Sequence, residues 1–356
     1  MKTGNELNFK GESIYCGIDV HARQWTVCVR DNQFELKKFT QPPEPDKLSS
    51  FLKRTYPGAD YYAVYEAGFS GFWAQRRLQE QGIKCIIIHP ADVPGTDKEK
   101  QQKTDVVDCR KLARSLSKGD LKSIYIPSEQ MTSDRHLLRT RKQLVADQTR
   151  YKNRILSMLK FEGINIPEGH KQSTHFSNQF NSWLQNLSLR QTTKEALQLK
   201  LEPLKSIRVN LLHANRNIRA LSLSDNYKEQ VELLRSIPGI GLINSMTILT
   251  ELGDIKRFTT FDHWCSYFGL TPLIHQSDET LKVRGITHRC NHLLREALIE
   301  SAWHAVYRDP ALLMSYKEYC KRMNHNKAII RIARKLLSRI RYVLLNKVAY
   351  QIAVVK

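Results

Sequence analysis

Acidic side chains are scarce in this sequence: 35 Asp and Glu stand against 56 Lys and Arg over 356 residues, a formal net charge of +21 at pH 7. Long apolar runs are missing too. No stretch reaches the roughly 20 consecutive apolar residues of a membrane-spanning helix. The first residues, Met1 to Lys10, are polar and lack a signal-peptide pattern. The expectation is a cytoplasmic protein with no membrane partner. The seven cysteines (Cys16, Cys28, Cys85, Cys109, Cys265, Cys290 and Cys320) are odd in number, scattered and never paired as Cys-x-x-Cys. That excludes a disulfide scaffold and points to reduced thiols. Disorder is excluded by the 41% hydrophobic content, and the length is enough for two or three domains.

The positive charge is lopsided. Residues 1–120 carry 19 Lys and Arg against 16 Asp and Glu, whereas residues 121–356 carry 37 against 19. A polyanion is the partner this implies, held mostly by the second part of the chain.

In the first part the order of elements reads βββαβαβα. Ser13 to Val20 is a buried strand ending near Asp19; Trp25–Arg30 and Phe34–Phe39 alternate apolar and polar residues around an Asp31-Asn32-Gln33 turn. Asp46–Arg54 reads as a short helix, Tyr61–Tyr65 as a strand ending at Glu66, Gly71–Gln81 as a helix stopped by Gly82, and Lys84–Ile88 as a fifth strand. Then comes Lys103-Thr104-Asp105-Val106-Val107-Asp108-Cys109-Arg110-Lys111-Leu112-Ala113. With Thr104 as N-cap, Asp105 and Asp108 share one face of the first helical turns. This is the ribonuclease-H-like order, an α/β fold whose first and fourth strands lie in the middle of one mixed sheet. It brings Asp19, Glu66, Asp105 and Asp108 together, and four carboxylates in one place call for a divalent cation. A solvated helix start and isolated strand-end acids are the plain alternative.

From Ser128 to Phe161 a long basic helix carries Leu137, Leu144, Tyr151 and Met158 at seven-residue spacing, with Val145, Ile155 and Leu159 thickening the stripe. It reads as a coiled-coil seam within or between chains, or as an ordinary packed helix. Pro167–Asn181 reads as a polar loop, and Arg190–Leu221 as a returning helix interrupted by Pro203. The Pro238-Gly239-Ile240-Gly241 turn between helices resembles a helix-hairpin-helix, whose backbone N–H groups hold a phosphate; a tight turn without ligand is the other reading. Gly269–Gly285 reads as a polar loop holding Ser277, with Lys282, Arg284 and Arg289 following. His288, Cys290 and His292 fit no common zinc spacing. The segment Lys317–Lys347 has ten Lys and Arg against one Glu, with Ile330, Ala333, Leu337, Ile340 and Leu344 at helical spacing. One face packs, and the other, with Arg331, Arg334, Lys335 and Arg339, suits phosphate-backbone contacts. Three domains follow: 1–125, α/β and RuvC-like; 126–228, long helices; and 229–356, all-α.

Taken together, Tyr-Cys-Gly-Ile-Asp-Val, Tyr-Glu-Ala-Gly-Phe-Ser-Gly, Lys-Thr-Asp-Val-Val-Asp-Cys-Arg-Lys-Leu-Ala, Ser-Ile-Pro-Gly-Ile-Gly, Tyr-Phe-Gly-Leu-Thr-Pro and Arg-Gly-Ile-Thr-His-Arg-Cys-Asn-His-Leu-Leu-Arg resemble the insertion-sequence transposases of the IS110 family, relatives of Piv-type DNA invertases. The resemblance implies a DEDD tetrad of Asp19, Glu66, Asp105 and Asp108 holding Mg²⁺ (or Mn²⁺). It also implies Ser277 as the nucleophile that forms a phosphoserine link to DNA. Its further implications are a structured guide RNA, a homo-oligomer (dimer or tetramer) and work at the prokaryotic nucleoid. One departure stands out: the family commonly has a small residue after the serine, and here Asp278 and Glu279 follow, two negative charges that oppose an approaching phosphate. The rival functions are a resolvase or nuclease using metal-activated water, and a non-catalytic nucleic-acid-binding protein.

Overall fold

The computed structural model describes residues 8–94, 104–170, 175–277 and 280–352, with the side chains of 274–284 left aside. The chain forms two compact units, Met1–Ile126 and Pro127–Lys356.

In the first unit, strands β1 (Ser13–Val20), β2 (Trp25–Arg30), β3 (Glu35–Gln41), β4 (Asp60–Glu66) and β5 (Lys84–Ile88) build one sheet in the order β3-β2-β1-β4-β5. The hairpin pairings β1/β2 and β2/β3 are antiparallel, while β1/β4 and β4/β5 are parallel. The parallel pairs follow from the helical crossovers α1 (Pro45–Thr55) and α2 (Trp73–Glu80), since a tight turn cannot join parallel strands. Side-chain alternation then divides the sheet into two faces. Ile14, Cys16, Ile18, Val27, Val29 and Tyr65 pack with Leu48 and Leu52 of α1 and Ala74 and Leu78 of α2. The opposite face receives α3 (Asp105–Ser117): Cys28 packs with Cys109 and Ala113, and Val64 and Ile88 pack with Leu112. At the crossing point β1 offers Gly17, and no other residue fits. A Cβ there would lie 2.1 Å from the Cys109 carbonyl oxygen.

Among the described residues, the second unit is helical apart from one hairpin. Helices α4 (Glu129–Phe161) and α6 (Gln191–Ser222) run antiparallel. Ile155 and Leu159 at the end of α4 meet Leu197 and Leu204 near the start of α6, while Leu138 and Ile218 share the core at the other end. Ser128 caps α4, its hydroxyl accepting from the Met131 amide. The seven-residue positions on α4 are only half-buried; its buried apolar residues are Leu138, one position beyond Leu137, and Ile155 and Leu159, two of the residues expected to thicken the stripe. On α6 the buried Leu197, Leu204, Leu211 and Ile218 do recur every seven residues. Pro203 does not interrupt this helix; it forfeits one hydrogen bond, and packing on both sides of it outweighs the loss. Within the expected 167–181 loop, α5 (Asn178–Gln185) begins at Ser177 and buries Phe180 and Leu184. The remaining core gathers α7 (Lys228–Arg235), α8 (Leu242–Leu252), α9 (Phe261–Tyr267), α10 (His292–Val306), α11 (Pro310–Cys320) and α12 (His325–Asn346).

An all-α C-terminal part is not what forms. The stretch read as a polar loop is a β-hairpin, β6 (Pro272–Ser277) paired antiparallel with β7 (Thr280–Ile286). Leu281 and Val283 alternate with Lys282 and Arg284, the period-two pattern of a strand. Its pairing partner is what turns six polar-flanked residues into an ordered element.

Candidate metal centre

The candidate centre is built on the end of β1. Residues Ile18 and Tyr65 are in register across the parallel β1/β4 pair. Asp19 and Glu66 each stand one residue further on, and both therefore lie on the face opposite Ile18 and Tyr65, the face that α3 crosses. Helix α3 begins where Thr104 caps it, the Thr104 hydroxyl accepting from the Val107 amide at 3.3 Å. That cap fixes Asp105 and Asp108 in the first turn, where the helix dipole favours negative charge. Gly17 sets how closely this helix approaches the strand, and so how closely its carboxylates approach Asp19.

The ligand atoms of Asp19, His21 and Asp105 lie within 4.8 Å of one another. His21 Nε2 stands 3.3 Å from Asp19 Oδ2 and 3.5 Å from Asp105 Oδ2. Burial pushes the Asp19 carboxyl above its ordinary value; His21 pulls against this, and the charges of Asp105 and Asp108 push it up again. The net upward shift is set first by burial, so the Asp19 carboxylate is a partly desolvated charge with two further acids close by. A divalent cation suits such a donor set, and Asp19 and Asp105 could hold it directly, with Asp108 and Glu66 beside them. Three of the four expected acids are thus in electrostatic contact, and the fourth ends the adjacent strand. Sequence reasoning passed over His21. Its one signal was the spacing Asp19-Val20-His21, since residues two apart at a strand end share a face.

In the second unit, Ser277 is the last residue of β6 and pairs with Thr280. Asp278 and Glu279, which follow it, lie outside the described residues, as do the side chains of Ser277, Lys282 and Arg284. Arg289 is exposed just beyond β7. Gly239 has φ +89°, and a Cβ on it would collide with Ser301 O and Ala305 N of α10, so its role is close packing in the turn. Gly241 instead faces open space and caps α8 without a side-chain acceptor of its own for the first amides. It lines a cleft of about 730 Å³ together with Arg141, Asn244, His304 and Arg308.

The four cations expected on α12 differ in what they are free to do. Arg331 and Lys335 are exposed, Lys335 donating to the Ser315 hydroxyl at 2.9 Å. Arg334 stands 3.5 Å from Asp262. Arg339 donates to Asp309 Oδ2 at 2.6 Å, and the same oxygen accepts from the Tyr350 hydroxyl. As the Asp309 side chain is fully buried, Arg339 serves as its counter-ion. A second buried ionic node joins α4 to α8: Arg139 donates twice to Glu251, at 2.7 and 2.9 Å, and Asn291 donates once. Among the described residues no helix is long and apolar enough to cross a membrane.

Residues 16–163 match a transposase model for the DEDD domain of IS110 elements, and residues 231–317 match the model described as "Transposase IS116/IS110/IS902 family". Among individual proteins, the chain is 29% identical over 307 residues to the transposase for insertion sequence element IS1533 of Leptospira borgpetersenii, covering 82% of this chain and 84% of the relative. It is 22% identical over 328 residues to the transposase for insertion sequence element IS1111A of Coxiella burnetii, covering 90% and 83%. A relative from Sinorhizobium fredii is 28% identical over 258 residues, 72% of this chain and 61% of that protein, so the chain spans less than two thirds of its length.

Proposed function

Because the chain belongs to the IS116/IS110/IS902 family of transposases, we propose that it cuts and rejoins DNA, with Asp19, Glu66, Asp105 and Asp108 as the metal-holding groups of the cutting centre. The observation that carries this is the meeting of Asp19 and Asp105 with His21, residues 86 positions apart at the extremes, within 4.8 Å. A divalent cation bound there, Mg²⁺ or Mn²⁺, would neutralise charge on the scissile phosphate and on the oxygen that leaves.

In this reading Ser277 is the nucleophile. Its oxygen bonds to phosphorus as the phosphorus–oxygen bond to the deoxyribose breaks; the serine proton is lost and the departing oxygen takes one up. The phosphoserine ester conserves the bond for rejoining, by reversal with another DNA hydroxyl. The serine's position at the end of a strand, with cationic residues following on β7, supports this. Exposed Arg331, Lys335 and Arg289, together with the Gly241 cleft, would hold phosphates of DNA and of a structured guide RNA. Acid cluster and serine lie in separate units of the chain, which accords with a homo-oligomer in which one copy's serine serves another copy's carboxylates.

A second reading keeps the carboxylates and makes water the nucleophile, with Ser277 a bystander; the acid cluster by itself favours it, because a DEDD centre suffices for hydrolysis. Denaturing gels of cleaved, labelled DNA separate the two. A protein–DNA adduct that disappears in Ser277→Ala supports the serine route, and cutting that proceeds in Ser277→Ala without any adduct overturns it. Asp105→Asn is expected to abolish cutting by either route while leaving nucleic-acid binding near normal.

A further inference from the structure

His21 follows β1 directly, and its backbone is held by the β1–β2 hairpin: Val20 pairs with Trp25, and the His21 amide donates to the Gln24 carbonyl at 3.2 Å. The turn therefore sets its ring over the end of the strand, on the same side as Asp19. The ring nitrogen Nε2 faces a carboxylate oxygen of the sheet (Asp19, 3.3 Å) and one of the crossing helix (Asp105, 3.5 Å). Two ligands of one ion can stand no further apart than twice the bond length, roughly 4.0–4.4 Å for bonds of about 2.0–2.2 Å. Both of these separations fall inside that limit. We propose that His21 is itself a metal ligand, so that the centre is a mixed nitrogen–oxygen site that favours a first-row transition ion such as Mn²⁺ over Mg²⁺.

The chemistry follows from the donor. Mg²⁺ is hard, dehydrates reluctantly and takes oxygen ligands almost exclusively. A neutral imidazole is a borderline donor whose affinity rises along the first-row series. An all-carboxylate tetrad would bind the two ions on similar terms, whereas one imidazole in the set separates them. The alternative role for His21 is a charge partner that merely neutralises the two acids, and in that role its nitrogen never touches the ion.

The inference rests on the metal reading given above, and the experiment tells the two apart. Mn²⁺ is added to tag-free, full-length protein, and electron spin-echo envelope modulation is recorded for the wild type and for His21→Gln. His21 is half exposed at a turn, so the substitution leaves the core intact. The wild type is expected to show ¹⁴N modulation from a directly bound nitrogen, and His21→Gln to lose it while still binding Mn²⁺. By titration calorimetry, His21→Gln should weaken Mn²⁺ binding by roughly tenfold or more and Mg²⁺ binding by less than about threefold. Bound Mn²⁺ without nitrogen modulation in the wild type, or modulation that persists in His21→Gln, overturns the His21 assignment and leaves the carboxylate centre standing. Absence of Mn²⁺ binding by the wild type, or binding untouched by Asp105→Asn, overturns both.

Discussion

Adding one methyl group at Gly17 should disable the carboxylate centre from the opposite end of the strand–helix contact. The new Cβ would sit 2.1 Å from the Cys109 carbonyl oxygen, 2.5 Å from the Ala113 amide nitrogen and 3.0 Å from Leu112 Cβ. Two of these three are backbone atoms, so no rotamer change relieves the clash. Ordinary contact begins at 3.4 Å, which leaves α3 about 1.3 Å too close. Asp108 immediately precedes Cys109, and the helix therefore carries Asp105 and Asp108 outward while Asp19 and His21 remain on the sheet. Overpacking of this kind costs about 1–3 kcal/mol, and a displacement of about 1 Å at a reacting centre costs on the order of 10²-fold in rate. Gly17→Ala should accordingly melt a few degrees lower and cut DNA about a hundredfold more slowly. Val64→Ala is the control, because it opens space beneath Leu112 on the same face without pushing the helix; it should lose comparable stability and keep most of its activity. Melting curves and cleavage rates on the same preparations decide the matter. If Gly17→Ala cuts as fast as Val64→Ala at matched stability, the strand–helix distance does not govern the centre and the reasoning fails.

The raised Asp19 carboxyl implies that its charge destabilises the metal-free fold at neutral pH, so Asp19→Asn should raise the melting temperature in EDTA and abolish the further rise produced by Mn²⁺; a lower melting temperature in EDTA would contradict this. Removing the Glu251 carboxylate takes from Arg139 the acceptor of both its hydrogen bonds and from buried Arg135 a negative charge 4.0 Å away, although Arg135 keeps the Thr250 and Glu251 carbonyls, and Glu251→Ala should cost about 3–5 kcal/mol in urea denaturation. Burial alone would raise the Glu251 carboxyl, but hydrogen bonds from Arg139 and Asn291 outweigh it and hold the group below its ordinary 4.5. Its stabilisation is therefore present above about pH 4.5 and lost as pH falls through the depressed value, and Glu251→Ala should lack that part of the acid transition. On α12, Arg331→Ala and Lys335→Ala should each weaken DNA binding and reduce its salt slope by about 1. Arg339→Ala should instead lower stability by about 3–5 kcal/mol, because it strands the buried Asp309; unchanged melting with weakened DNA binding would reverse that assignment.

Much of this was legible in the residues. Thr104 announced the start of α3, the alternation around Asp31-Asn32 announced a hairpin, and helical crossovers required β1 and β4 to pair in parallel; each is a local or short-range rule. The misses share one cause. Leu138 is buried and Leu137 only partly so against the same core, because burial on α4 depends on where α6 and α8 lie, and seven-residue spacing cannot say which of two adjacent leucines goes deeper. Pro203 and the β6–β7 hairpin were misjudged for the same reason, since tertiary packing and strand pairing override local propensity. Arg339 looked like a free cation until its partner, 30 residues away, was located.

By itself, then, the sequence determined which residue types were available: a basic second half, a ribonuclease-H-like order of elements and four acids at element ends. Only the tertiary structure decided which of them meet. Carboxylates far apart in the chain come within a metal's reach because Gly17 lets a helix lie against a strand, and His21 joins them because a hairpin turn puts its ring on their side. Such distances depend on the packing of whole elements, and no window of neighbouring residues contains that information.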